Sequence, residues 1–272
     1  MPEVKAELRV RLERTPRGTE MVESFAQAPL KVAKTFALPG GMAGVTVMDV
    51  SPGMLAGDRY EQVWSVGTGA SVRVSTQSFA RIHPSDGRPS VQTLSFELGP
   101  GAWFEWMPEP VMPFRDARFV GCCRVRMAPG AVFAMTEVLC PGRTLRGEVF
   151  RYTLYDSRLC VRDGREIWYD GRLRIEPGGE AVRRRGVGFG GPGVWGGYTH
   201  LGALWVFSDR VKPMHADLMR EAAERSTDGG ALLAGVGVLA RNGVVVQALG
   251  HRAWEIRRLL QTVWDATRVC LC

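Results

Sequence analysis

The chain has few of the residues from which metal centres and covalent catalysts are usually built. Its four histidines, His83, His200, His215 and His251, are scattered and far apart. Its six cysteines include the adjacent pair Cys122-Cys123 and the terminal Cys270 and Cys272, but form no Cys-x-x-Cys and no Cys/His set with zinc spacing. Neighbouring residues on a strand face opposite ways, so Cys122 and Cys123 do not aim at one ion. The cysteines read as free thiols of a reducing compartment, the buried ones packing as small hydrophobes. Gly-x-Ser-x-Gly is absent, and no Ser or Cys nucleophile has a base and an orienting group in view. There is no bilayer-length apolar run: the longest, Ala231–Ala240, is short and holds two glycines. The first ten residues carry Glu3, Lys5, Glu7 and Arg9 where a secretory signal would be apolar. These absences lead us to expect a soluble, cytoplasmic protein that is not an enzyme.

What is present is apolar residues and arginine. Hydrophobic residues make up 45% of the 272, enough for a sizeable core, and charged residues are 23%, which argues against wholesale disorder. The net charge of +7 favours acidic proteins, nucleic acid or anionic surfaces as partners. No basic run of nuclear-targeting type occurs. The densest cluster, Arg183-Arg184-Arg185, reads as a solvated loop.

Three turns resemble one another: Gly67-Thr68-Gly69-Ala70, Gly99-Pro100-Gly101-Ala102 and Ala128-Pro129-Gly130-Ala131. They recur roughly 30 residues apart, a period typical of repeated supersecondary units. Each lies between strand-like runs and offers glycine where a positive φ is needed. The flanking runs read as hairpins: 60–66 with 70–76, 91–98 with 102–107, and 119–127 with 131–139. Asp163-Gly164, Asp170-Gly171 and Asn242-Gly243 read as further tight turns. Helical spacing appears late, over Pro213–Arg225 and His251–Arg268, with Ser208 or Asp209 as the cap of the first. The expected fold is mainly β, a β-helix-like stack of hairpins and strands with two α-helices near the C-terminus. No linker divides it, so residues 1–272 read as one domain.

Gly186-Val187-Gly188-Phe189-Gly190-Gly191 satisfies G-x-G-x-x-G, but three arginines precede it and Pro192 and Gly193 follow, so no helix begins there to face a pyrophosphate. It reads as a loop.

The segments between the repeats carry more. They are Ser51-Pro52-Gly53-Met54-Leu55-Ala56-Gly57-Asp58, Ser75-Thr76-Gln77-Ser78-Phe79-Ala80-Arg81, Trp106-Met107-Pro108-Glu109-Pro110 and Pro141-Gly142-Arg143-Thr144-Leu145-Arg146-Gly147-Glu148. With Leu249-Gly250, Arg258-Leu259 and Trp264–Arg268, this ordered set over residues 28–268 resembles the urease accessory protein UreD family, called UreH in some bacteria. The chain departs from that pattern in small ways: one glycine for a pair near Gly53, Ser75 for threonine, Glu109 for aspartate and Arg81 for lysine.

The resemblance implies a maturation factor, a scaffold and metallochaperone that binds apo-urease and recruits the UreF and UreG accessory proteins, the latter a GTPase. It implies nickel delivery through a tunnel, with transient nickel and no permanently bound cofactor. A shielded path of weak oxygen ligands would carry Ni²⁺ past the imidazoles and thiolates that would otherwise trap it. Asp58, Glu105, Glu137 and Glu148, near the turns and family segments, are the candidates for that path. For each, the plainer reading is a salt bridge with one of the many arginines, Glu148 with Arg143 or Arg146 above all. Glu148→Gln and Asp58→Asn are expected to lower urease activation with the fold intact. Trp254, Arg257 and Arg258 on the C-terminal helix are candidates for a partner interface, since Trp and Arg concentrate at such surfaces. Trp264 reads as core. Two other classes compete: a β-rich hydrolase or isomerase with an unrecognised carboxylate pair, and a basic nucleic-acid-binding protein. The latter would need aromatics interleaved with a basic strand face, which the runs do not show.

Overall fold

A computed structural model describes residues 3–179, 191, 194–227 and 230–271. The Arg183-Arg184-Arg185 cluster, residues 186–190 of the G-x-G-x-x-G stretch and Cys272 lie outside the described residues. The first strands are β1 (Lys5–Thr15), β2 (Gly18–Ala26), β3 (Leu30–Leu38), β4 (Met42–Asp49), β5 (Arg59–Val66) and β6 (Ser71–Thr76). Then come β7 (Ala80–Ile82), β8 (Ser90–Leu98), β9 (Trp103–Trp106), β10 (Val111–Pro113), β11 (Arg118–Met127) and β12 (Val132–Leu139). The rest are β13 (Leu154–Asp163), β14 (Ile167–Ile175), β15 (His200–Phe207), β16 (Leu232–Val238) and β17 (Gly243–Gly250). Two α-helices stand among the described residues, α1 (Pro213–Thr227) and α2 (Ala253–Leu271).

The strands build two sheets that face each other. One runs β14-β13-β11-β8-β5-β1-β2, the other β16-β17-β15-β12-β9-β6-β4-β3. Between β1 and β13 the first sheet is parallel throughout, and so is the second between β4 and β12. The short β7 and β10 pair with each other beside this stack. The chain therefore coils, visiting each sheet once per turn of a β-solenoid-like stack.

This corrects the three hairpins. β5 and β6 belong to different sheets, as do β8 with β9 and β11 with β12. The repeated turns are corners that carry the chain from one sheet to the other. A strand's partners come from neighbouring coils, so Trp64 lies beside Phe96 and Phe96 beside Val125. The corners stack as well. Gly69 N–H donates to the Pro100 carbonyl at 2.9 Å, and Gly101 N–H to that of Pro129 at 3.0 Å. Gly69 and Gly101 hold φ near +63°, open to glycine at little cost. Ala70, Ala102 and Ala131 point inward and are buried.

Asp163-Gly164 and Asn242-Gly243 do turn hairpins, β13–β14 and β16–β17. Asp170-Gly171 instead lies inside β14. There Asp170 pairs with Arg158 on the neighbouring strand, and the Tyr169 side chain occupies the space a Gly171 Cβ would need. On the approach to α1, Ser208 Oγ accepts from Arg210 N–H at 3.2 Å and His215 Nδ1 from Lys212 N–H at 2.8 Å, while Asp209 accepts from Gly130 N–H instead.

Two cores result. Between the sheets, Trp64, Phe96, Phe104, Trp106 and Phe133 pack ring against ring. On the outer face of the second sheet, Trp103, Val138 and Leu204 meet Ile256, Leu260 and Trp264 of α2 and Met219 of α1.

Candidate functional site

The parallel register places like positions of successive coils in rows along the stack. One such row on the first sheet is polar. Tyr60 lies beside Gln92, Gln92 beside Gly121, and Gly121 beside Ser157. Three cavities follow it between the sheets. The first, about 60 Å³, is lined by Tyr60, Gln62, Thr76, Gln77 and Gln92 among others. The second, about 70 Å³, shares Thr76 and Gln92 with it and adds Gly121, Glu137, Tyr155 and Ser157. A third, about 130 Å³, shares Glu137 and Ser157 with the second and reaches Arg172 and Gln247. Each exceeds the roughly 10–15 Å³ a water molecule requires. Gly121 contributes no side chain, and a Cβ there would meet the Phe119 ring at 2.9 Å. Side-chain oxygens are the commonest polar groups of the lining, with Arg81, Arg172, Cys122 and Cys123 beside them. Such oxygens are weak ligands from which a hard or borderline cation exchanges readily.

Of the four candidate acids, only Glu137 borders these cavities. It accepts hydrogen bonds from Tyr155 Oη and from Ser157 Oγ, the latter at 3.2 Å. Its residual accessibility is toward two cavities, while the surrounding protein desolvates it and pushes its carboxyl pKa up. Burial likewise raises Tyr60, to about 12, so its hydroxyl stays neutral.

The other three hold the fold. Asp58 is buried and takes the N–H groups of Val4 (2.9 Å) and Leu55 (2.8 Å), tying the start of the chain to the glycine-bounded loop. Glu105 is fully buried on the helix-facing side of β9. It receives Trp103 Nε1 at 2.8 Å and pairs with Arg73 and with Arg268 of α2. Glu148 takes Arg143 through two nitrogens, at 2.7 and 2.5 Å, and Arg115 N–H at 3.2 Å. The guanidinium holds the Glu148 carboxyl below its usual pKa, and stacks over Phe114 at 4.1 Å. Of the two arginines expected to compete for Glu148, Arg143 is thus the one that pairs with it. With Asp58 and Glu148 anchored in this way, their neutral variants bear on stability as well as on any metal path.

Trp254, Arg257 and Arg258 are brought together. All three are exposed, Trp254 at 56%, and they line one surface groove with Met107, Pro108 and Leu260. Arg257 pairs with Glu109 at 2.7 Å, and Glu109 N–H donates to Thr76 Oγ1 at 2.9 Å. Three of the ordered segments, around Thr76, Glu109 and α2, thus converge. Ser51, from a fourth, lies 3.2 Å from Tyr60 Oη at the first cavity. The Gly142–Glu148 segment stands apart.

Among the described residues no three His, Cys, Asp or Glu side chains cluster as a metal site. His200 is buried, which lowers its pKa to about 4, and His215 Nε2 contacts the Cys270 carbonyl at 3.2 Å. Sequence reasoning missed Tyr60, Gln62, Gln92, Tyr155, Ser157 and Glu109. A signal for the row was present: Tyr60, Gln92, Gly121 and Ser157 each stand seven residues before Gly67, Gly99, Ala128 and Gly164.

The family described as UreD urease accessory protein matches residues 4–272. The urease accessory protein UreD of Deinococcus radiodurans is 33% identical over 247 residues, 88% of this chain and 84% of that one. That of Haloarcula marismortui is 30% identical, over 96% of this chain and 85% of its own. That of Acetivibrio thermocellus is 28% identical, over 95% of each.

Proposed function

The chain belongs to the UreD urease accessory protein family, and from that premise we propose that it is a scaffold and metallochaperone in urease maturation. It binds apo-urease, recruits the UreF and UreG accessory proteins, and passes Ni²⁺ through its interior without catalysing a reaction. The observation that carries this reading is the series of cavities along Tyr60, Gln92, Gly121 and Ser157. A cation moving there meets hydroxyl and amide oxygens and the carboxylates Asp49, Glu109 and Glu137, no three of which cluster among the described residues, so it is held weakly at each step. Burial raises the Cys123 thiol pKa, which keeps that thiol protonated. Asp58, Glu105 and Glu148 act beside the path, by fixing the strands and loops around it. The whole of 1–272 works as one UreD-like domain in the cytoplasm.

The surface of α2 supports the scaffold role. Trp254 offers a large exposed ring, and Arg258 has no ion pair among the described residues. That pairing of an aromatic anchor with a free cation suits an acidic, partly apolar segment of a partner. UreF is the partner we assign to it.

The test is co-expression with urease and the other accessory proteins, followed by nickel analysis of purified urease. Gln92→Leu and Ser157→Ala remove oxygens from the row with little change in volume. Both are expected to keep the complex together and to lower the nickel content of urease several-fold. Wild-type nickel content in both variants would overturn the interior route.

A further inference from the structure

The groove beside α2 has a volume of about 280 Å³, and its walls include Pro108, Thr136 and Val138. The same three residues wall the interior cavity that contains Glu137, so they form a shared partition between groove and cavity. Glu109 borders the cavity and accepts from two nitrogens of Arg257, each at 2.7 Å. Its backbone is fixed, with Pro108 before it, Pro110 after it and its N–H bound to Thr76. The movable part of this contact is therefore the pair of side chains. Arg257 lies on the exposed face of α2, with its side chain 43% accessible, so a carboxylate arriving from outside can compete for it.

We propose that the groove is a lateral mouth of the interior passage, latched by the Glu109–Arg257 pair, and that an acidic segment of a docked partner opens it by taking Arg257. Opening uncovers the Glu109 carboxylate at the threshold, one oxygen ligand for a hydrated divalent cation entering or leaving beside the partner. This rests on the interior-route reading, but is tested without urease or nickel, so the two can fail separately.

The cavity holds its own reporter. Cys123 is buried and lines it, whereas Cys140 is buried in the helix-facing core. Full-length wild type, Glu109→Gln and Arg257→Gln are treated with methyl methanethiosulfonate, and each cysteine is followed by peptide mass spectrometry. Loss of a bidentate, half-exposed pair is expected to speed Cys123 labelling about fivefold in both variants, with Cys140 unchanged. The double exchange Glu109→Arg with Arg257→Glu should return Cys123 to the slow rate. Poly-L-glutamate, as the external carboxylate, should speed Cys123 labelling in wild type and not in Arg257→Gln. Equal Cys123 rates in wild type and the single variants would overturn the latch, as would a matching rise at Cys140, the mark of unfolding. No response of wild type to poly-L-glutamate would overturn opening by an acidic partner.

Discussion

Glu137 and Glu148 are two carboxylates that bear on stability in opposite directions. Burial raises the Glu137 pKa, so the folded state holds its proton more tightly than the unfolded chain does. The stability this contributes is present below the unfolded pKa of about 4.3 and is lost as pH rises through the folded value. Arg143 depresses the Glu148 pKa, so its contribution is present above that same unfolded value and is lost as pH falls through the folded one. Glu137→Gln should therefore raise the melting temperature at pH 7, with the gain shrinking toward pH 4. Glu148→Gln should lower stability at pH 7 by about 1–3 kcal/mol, the cost of breaking a charged hydrogen-bonded pair, with the deficit closing in acid. Thermal unfolding of the three proteins between pH 4 and 8 checks both slopes, and parallel curves would refute them. The sequence could nominate these acids as path or salt bridge but not divide them. Arg143 stands five residues from Glu148 and is readable as its partner, whereas Tyr155 and Ser157 reach Glu137 from the opposite sheet.

At the scale of elements, α2 has two distinct faces, one packed and one exposed. Its apolar periodicity places Ile256, Leu260, Val263 and Trp264 on one side, and all four are buried. Trp264 packs against Trp103 with ring centroids 5.9 Å apart, and Arg268 clasps Glu105 below it. Trp254 faces away. Trp264→Ala should cost about 3–5 kcal/mol, the usual range for emptying a core site of this size, and should be visible as an early urea midpoint. Trp254→Ala should leave that midpoint within about 0.5 kcal/mol of wild type while losing co-purification with UreF, the partner proposed for this face. Retained co-purification of Trp254→Ala would remove UreF from this face. Helix positions are legible because a helix carries its own period. The hairpin expectation fails because Gly67–Ala70 and its copies look the same whether the chain folds back or turns a corner. What decides between them is a partner strand one coil away.

On the scale of the whole molecule, the repeat is legible in the sequence and its geometry is not. Recurrence of the Gly- and Pro-bearing turns announces a stack, and the stack is there, with parallel ladders in place of hairpins. The polar row can be found by counting back from each turn, but only once parallel stacking is known. Corner glycines are a fold-level requirement, so Gly69→Ala and Gly101→Ala should each destabilise by about 1–2 kcal/mol through the positive φ alone, their Cβ positions being open. Urea titration checks this, and unchanged midpoints would refute it. The in-register ladder has one more consequence. Adjacent parallel strands lie about 4.8 Å apart, so residues of the Tyr60–Ser157 row are graduations on a ruler. On the proposed route an ion would pass Tyr60, Gln92 and Ser157 at whole multiples of that step, Gly121 offering no side-chain oxygen, and the route could be lengthened only by whole coils. An insertion of part of a coil would shift every later graduation off the line, closing the route while leaving the sheets intact.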